Sequence, residues 1–233
     1  MIFATWLTYD RTGKAWWLAM IANKTGGNTY AGTLYETRGP AFNAVPFDPA
    51  KVTRTAVGSG TLTFSDAGPA TFAYTVNGVA QTKAITREAF ARPVPACTYG
   101  AGFDLASVTN YQDLWWNAPA NSESGWGMNL THQGETIFLV WFTYDLDGTP
   151  LWLSATLNKG AGASYAGTLV RTRGPPFSAV PFDPAAVTRT SVGVANLTFA
   201  DGISGSFSYT VNGVAQTKAI TRQVFRTPGT LCR

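Results

Sequence analysis

Residues 74–87 read YTVNGVAQTKAITR, and residues 209–222 repeat those fourteen letters without a change. Ahead of each Asn-Gly the chain alternates, most clearly as Phe207-Ser-Tyr-Thr-Val211. Apolar and aromatic positions then face one way and hydroxyls the other, the period of a half-buried strand. Asn77-Gly78 and Asn212-Gly213 each separate two such runs, the strongest short signal for a two-residue type I′ hairpin. The stretch predicts antiparallel sheet, and predicts it twice.

Working outward, the match continues at a fixed offset. Residues 2–97 align with 137–232 without a gap, 57 of 96 positions being identical. A period of 135 has the size of a domain and is far too long for a solenoid repeat. Residues 98–136 have no counterpart ahead of Ile2, so the first copy is short by one specific piece.

The second copy reads as a succession of strands: 113–117, 124–133, 136–144, 150–157, 164–172, 187–199, 205–211 and 214–225. The turn Asp145-Leu-Asp-Gly148 marks a second hairpin, and residues 184–190 have room for one helical turn. The expected fold is all-β: tandem antiparallel meander barrels of about eight strands per complete unit, with a two-sheet sandwich as the alternative. The domains are 1–97, an incomplete repeat of six strands, and 98–233, a complete one. Residues 98–136 belong to the second unit or are donated to another.

Composition narrows the function. The 17 basic and 13 acidic residues leave a net charge of +4 that is scattered along the chain. A nucleic-acid partner would call for a basic face, so none is expected. No apolar run approaches the roughly 20 residues of a membrane-crossing helix, and no membrane insertion is expected. Met1 leads straight into IFATWLTYD, which the second copy identifies as domain interior, so no signal peptide is expected within these residues. Cys97 and Cys232 occupy equivalent places at the ends of the two copies. They read either as a bridge stapling the second unit in an oxidising compartment or as two separate thiols.

The run DLWWNAPANSESGWGMNLTHQGETIFLVWFTYDLDGTPLWL (113–153) resembles an uncharacterised β-rich module of secreted or surface proteins of proteobacteria. The features that carry the resemblance are Trp115-Trp116-Asn117, Glu123-Ser-Gly-Trp-Gly127, Gln133-Gly134 and Trp141-Phe-Thr-Tyr-Asp145. It covers 98–232 fully and 2–97 in part. It implies an extracellular or cell-surface location and brings no catalytic residues. The first copy departs from it by lacking the WWN and ESGWG segment.

Chemistry is sparse. The lone His132 reads as a strand-end residue, and no nucleophile elbow surrounds a serine. Asp145 and Asp147 suit a hairpin turn better than a calcium loop, whose other ligand positions are unfilled. One histidine and two distant cysteines do not make a zinc site, so no metal, cofactor or catalytic residue is expected. Glu123 reads as a loop acid pairing an arginine. Adjacent tryptophans on a strand point to opposite faces, so one of Trp115 and Trp116 is core and the other exposed. The same logic places Trp17 and Trp152 inside.

Two functions follow as expectations. The first is a non-enzymatic structural or adhesion module that self-associates by strand complementation. Residues 112–135 of one chain would pair with the six-stranded remnant of another, giving dimers or head-to-tail fibres. The alternative is a carbohydrate-binding module whose ligand residues are Trp115, Trp116, Asn117, Glu123 and Trp126.

Overall fold

A computed structural model describes residues 1–65 and 68–233. The first unit holds β1 (Ile2–Tyr9), β2 (Ala15–Gly26), β3 (Thr29–Arg38), β4 (Thr53–Phe64), β5 (Ala70–Val76) and β6 (Val79–Ile85). These pair in chain order into one curled six-stranded sheet. After β7 (Cys97–Gly102) come β8 (Asp113–Asn117), β9 (Gly127–Gln133), β10 (Thr136–Tyr144), β11 (Pro150–Lys159) and β12 (Ser164–Arg173). The chain ends with β13 (Thr188–Phe199), β14 (Ser204–Val211), β15 (Val214–Arg222) and β16 (Gly229–Cys232).

The second unit is a closed antiparallel barrel, not a sandwich. Its closure runs through β8, which sets Asn117 opposite Ile220 and Trp115 opposite Arg222, while β9 pairs with both β8 and β10. Residues 98–136 therefore supply two strands to the barrel that follows them in sequence. Registers recur at the offset of the sequence match. Ile2 faces Ala22 as Ile137 faces Leu157, and the bulge between Leu34 and Tyr35 returns between Leu169 and Val170. Both Asn-Gly turns take the positive φ values that a type I′ hairpin requires. The expected helical turn is a single 3₁₀ turn at Pro184–Ala186, capped by Asp183.

One short pairing escaped the sequence reading. β7 and β16 form a two-stranded clasp that brings Cys97 opposite Cys232, and the two are joined by a disulfide. The bridge holds together the two ends of the second unit.

Alternation along β2 and β11 explains how the units meet. Leu18, Met20 and Ala22 point into the first sheet's core together with Trp16, whose indole donates to Glu36 at 2.7 Å. Trp17 lies on the other face and packs on Phe142 and Tyr144 of the second unit. The expectation that Trp17 and Trp152 fill their own unit's interior is corrected accordingly. Both are buried, but on the outer face, where the sibling unit covers them.

That interface is reciprocal. Trp17 Nε1 donates to the Thr143 carbonyl at 2.8 Å, and Trp152 Nε1 donates to that of Thr8 at 3.0 Å. The Tyr209 hydroxyl reaches the Phe42 carbonyl at 2.7 Å, and that of Tyr74 reaches Phe177 at 2.9 Å. Phe42 N donates to Tyr144 O, and Phe177 N donates to Tyr9 O, both at 2.9 Å. Phe3 stacks on Phe225 as Phe90 packs on Phe138. Every partner is its counterpart's residue shifted by 135, the pattern of an isologous contact formed within one chain.

Candidate functional site: an open seam in the first sheet

Among the described residues the edge strands β1 and β6 of the six-stranded sheet have no further strand partner, at the place where the barrel inserts β8 and β9, although Asn129 of β9 donates through its side chain to the Thr5 hydroxyl. Residues 74–87 and 209–222 are identical, so their surroundings can be compared side chain by side chain. Ile220 is 1 % exposed, whereas Ile85 is 37 % exposed. Arg222 is buried and Arg87 is exposed. Strand β15 runs on through Arg222, whereas β6 stops at Ile85, two residues short of the equivalent point. A strand persists where a neighbour takes up its N–H and C=O groups, and here only the second copy has one. On the opposite edge Ile2, Ala4 and Trp6 are half-buried, whereas the matching Ile137, Leu139 and Trp141 are sealed. Trp6 still leans into the first core, 4.3 Å from the Tyr74 ring and 5.2 Å from that of Phe72.

In the barrel the inserted strands also satisfy two cations. Lys218 Nζ lies 2.7 Å from Glu123 Oε2 and 5.3 Å above the Trp126 ring. Arg222 donates to the Gly202 and Asn110 carbonyls at 2.8 Å each, and lies 3.4 Å from Asp113 Oδ2. It also sits 5.4 Å from the Trp115 ring centroid. Burial pushes the Asp113 carboxyl up and the Arg222 guanidinium down, each against the pull of the other. Lys83 and Arg87 stand at the corresponding places in the first unit. Among the described residues neither has a carboxylate within reach.

The expected ligand residues are placed differently from a stacking platform. Trp115 is 0 % exposed and Trp126 is 3 % exposed, so neither presents a ring face to solvent. Both rings carry core area, the usual use of tryptophan in a small β fold. Trp126 Nε1 donates to Glu123 at 2.9 Å, and Asn117 Nδ2 donates to Ser122 Oγ at 2.8 Å. Of these three tryptophans Trp116 is the half-buried one, and its indole N–H lacks an acceptor among the described residues. One tryptophan of the adjacent pair is thus core and the other partly open, as the alternation requires. Glu123 forms an ion pair, but with Lys218 of β15 and not with the expected arginine.

His132 lies at the floor of a cleft of about 740 Å³ at the barrel end, beside Tyr165, Lys159 and Arg92. Its Nδ1 accepts from the Tyr111 amide at 3.1 Å, which leaves the proton of the neutral ring on Nε2, 3.3 Å from the Tyr165 hydroxyl. Burial lowers its pKa, so the ring is neutral with both nitrogens engaged. No group of three or more metal-ligating side chains occurs among the described residues. Asp147 is occupied by its own turn: Thr149 donates to it through the amide and the hydroxyl, holding the carboxyl down at about 2.

Sequence reading missed Lys83 and Arg87. The signal was present in the duplicated fourteen residues, whose cations have partners in one copy and not in the other. Comparison of the chain with family models, characterised proteins and solved structures gave no match.

Proposed function

We propose that the protein is a non-enzymatic structural module of the cell exterior that associates through strand complementation at the open seam. The observation that carries this reading is the contrast between Ile85 and Ile220, identical residues in identical sequence, one open and one sealed. A sheet with two unpaired edges and a half-covered apolar face is the substrate for strand addition. Self-association is the simplest outcome, because each molecule carries the same free edges.

Strand numbers shape how that association works. Six strands in the first sheet and eight in the barrel leave the first sheet two short of closure. If residues 112–135 move from one barrel into a neighbour's seam, they open the barrel they leave. Exchange of that segment therefore relocates the vacancy along a head-to-tail chain, while direct pairing of β1 or β6 edges adds new bonds. The carbohydrate reading keeps only Trp116 as an accessible ring.

Sedimentation velocity over a range of concentrations, combined with hydrogen exchange of β1 and β6 amides, tests the proposal. Concentration-dependent assembly should protect those edge amides. A strictly monomeric protein whose edge amides exchange freely at every concentration would refute it.

A further inference from the structure

Resting on the strand-acceptor reading, we infer that the seam takes a two-strand polypeptide segment of the same chemistry as residues 113–133. Such a segment carries a carboxylate at each of two set places and is gripped by both units at once.

The reciprocal interface makes the inference specific. In the occupied site, Asp113 meets Arg222 and Glu123 meets Lys218. The vacant site offers Arg87 and Lys83 at the same positions of the same sequence. An occupant with acids at those two places neutralises both, and one lacking them buries two unpaired cations.

Further contacts come from the other unit. Between its two strands the bound segment passes Gly125, whose carbonyl accepts from the Tyr144 hydroxyl at 2.6 Å. Val52 of the first unit lies against that glycine; a Cβ there would come within 2.6 Å of a Val52 methyl, at a φ of +133°. The counterparts of these groups are Tyr9 and Val187. The Tyr9 hydroxyl has Thr172 as a partner at 2.9 Å, matching the Tyr144 to Thr37 contact, but no carbonyl in the place of Gly125. Phe47, whose ring stacks on that of Tyr144 at 6.5 Å, is 5 % exposed, and its counterpart Phe182 is 41 % exposed. Tyr9, Lys83 and Arg87 belong to the first unit and Phe182 and Val187 to the second, so the occupant bridges them.

Residues 113–133 of a folded copy are already committed to their own barrel. The occupant is therefore a segment lying outside residues 1–233 that has no barrel of its own to complete. It carries apolar residues at the places of Trp115, Met128 and Leu130, which share the inner face of the barrel, another at the place of Leu114, which is buried on the opposite face, and a glycine at the place of Gly125.

A synthetic peptide comprising residues 109–136, labelled with a fluorophore, tests this against the full chain by anisotropy. Saturable 1:1 binding is expected. The double variant K83E/R87E should weaken it by about tenfold or more. Among the described residues neither side chain has an acidic partner to lose, so the variant should keep the parent's circular dichroism. A peptide with Asp113→Lys and Glu123→Lys should recover affinity for that variant and lose it for the parent. No binding, or binding indifferent to K83E/R87E, overturns the inference. A protein that assembles through its edges yet refuses the peptide keeps the strand-acceptor reading and rejects this occupant. A monomer that refuses the peptide rejects both.

Discussion

Trp17 donates its indole N–H to the carbonyl oxygen of Thr143 across the boundary between the two units, 2.8 Å away. The bond exists because β2 is apolar on both faces. Trp16 is turned into its own sheet's core, which Phe177 of the second unit also enters, and Trp17 is turned out of it, onto Phe142 and Tyr144. A second tryptophan, Trp152, does the same in the opposite direction. The two units are therefore fastened by paired donors sunk in apolar surroundings, where a lost partner costs more than at the surface.

Trp17→Phe keeps most of the apolar area but strips the donor from a buried carbonyl. It should cost about 1–3 kcal/mol of unfolding free energy. Trp17→Ala adds a cavity between the units and should cost about 3–5 kcal/mol. Denaturant titration followed by far-ultraviolet circular dichroism reads both. Midpoints unchanged by either substitution would show that the contact is slack in solution.

Gly174 lies against the ring of Tyr9, and Gly39 lies against that of Tyr144. A Cβ at these glycines would approach ring carbons to 2.5 Å and 2.6 Å respectively. Gly174→Ala must displace Tyr9 and with it the hydroxyl contact to Thr172, so a loss of about 1–3 kcal/mol is expected. Gly26→Ala is the control, since nothing lies within 4 Å of its added Cβ and its φ is ordinary. A thermal melt in which the two alanine variants match would contradict the packing described for Tyr9.

Strands and turns were legible because alternation and Asn-Gly act locally, and the barrel strands lie within a few residues of the expected ranges. The interface was not. An apolar residue on either face of β2 or β11 reads simply as buried, and nothing local says whether its own unit or the sibling unit covers it. Trp17 and Trp152 were misplaced for that reason. The clasp of β7 and β16 was missed because its strands are short and Gly100 turns within one of them at a φ of +74°. At the seam, Ile85 and Ile220 lie in identical sequence, so no local rule could separate the exposed one from the sealed one. Only the absence of a counterpart to 98–136 pointed to the difference.

Stability should fall at both ends of the pH scale, for different residues. Burial holds the hydroxyls of Tyr144 and Tyr165 at about 12, against 10.0 for a free side chain. Between those values the unfolded chain releases protons that the folded chain keeps. Stability is thus intact below pH 10 and declines as the pH rises to 12, by about 1.4 kcal/mol per pH unit for each tyrosine. His132 is depressed below 6.5 by burial, so in acid the unfolded chain takes up its proton first. Its contribution is intact above pH 6.5 and is lost as the pH falls. Tyr165→Phe should flatten the alkaline limb, and His132→Asn the acid limb. Denaturation midpoints measured from pH 4 to 11 that leave both limbs unmoved would sink the assignment.

The sharpest test of the fold compares two arginines that the sequence cannot tell apart. Arg222 is sealed between β8 and the turn at Gly202, where it holds Asp113 and three backbone carbonyls. Arg222→Ala leaves the half-buried Asp113 carboxylate without its cation and those three carbonyls without their buried donor, and should cost about 3–5 kcal/mol. Arg87→Ala removes an exposed side chain with no acidic partner, and should stay within about 0.5 kcal/mol of the parent. The same chemical change at two positions preceded by the same thirteen residues is thus expected to differ by several kcal/mol in equilibrium unfolding. Should Arg87→Ala prove as costly as Arg222→Ala in dilute protein, the seam would already be filled in solution and the first sheet would not be open.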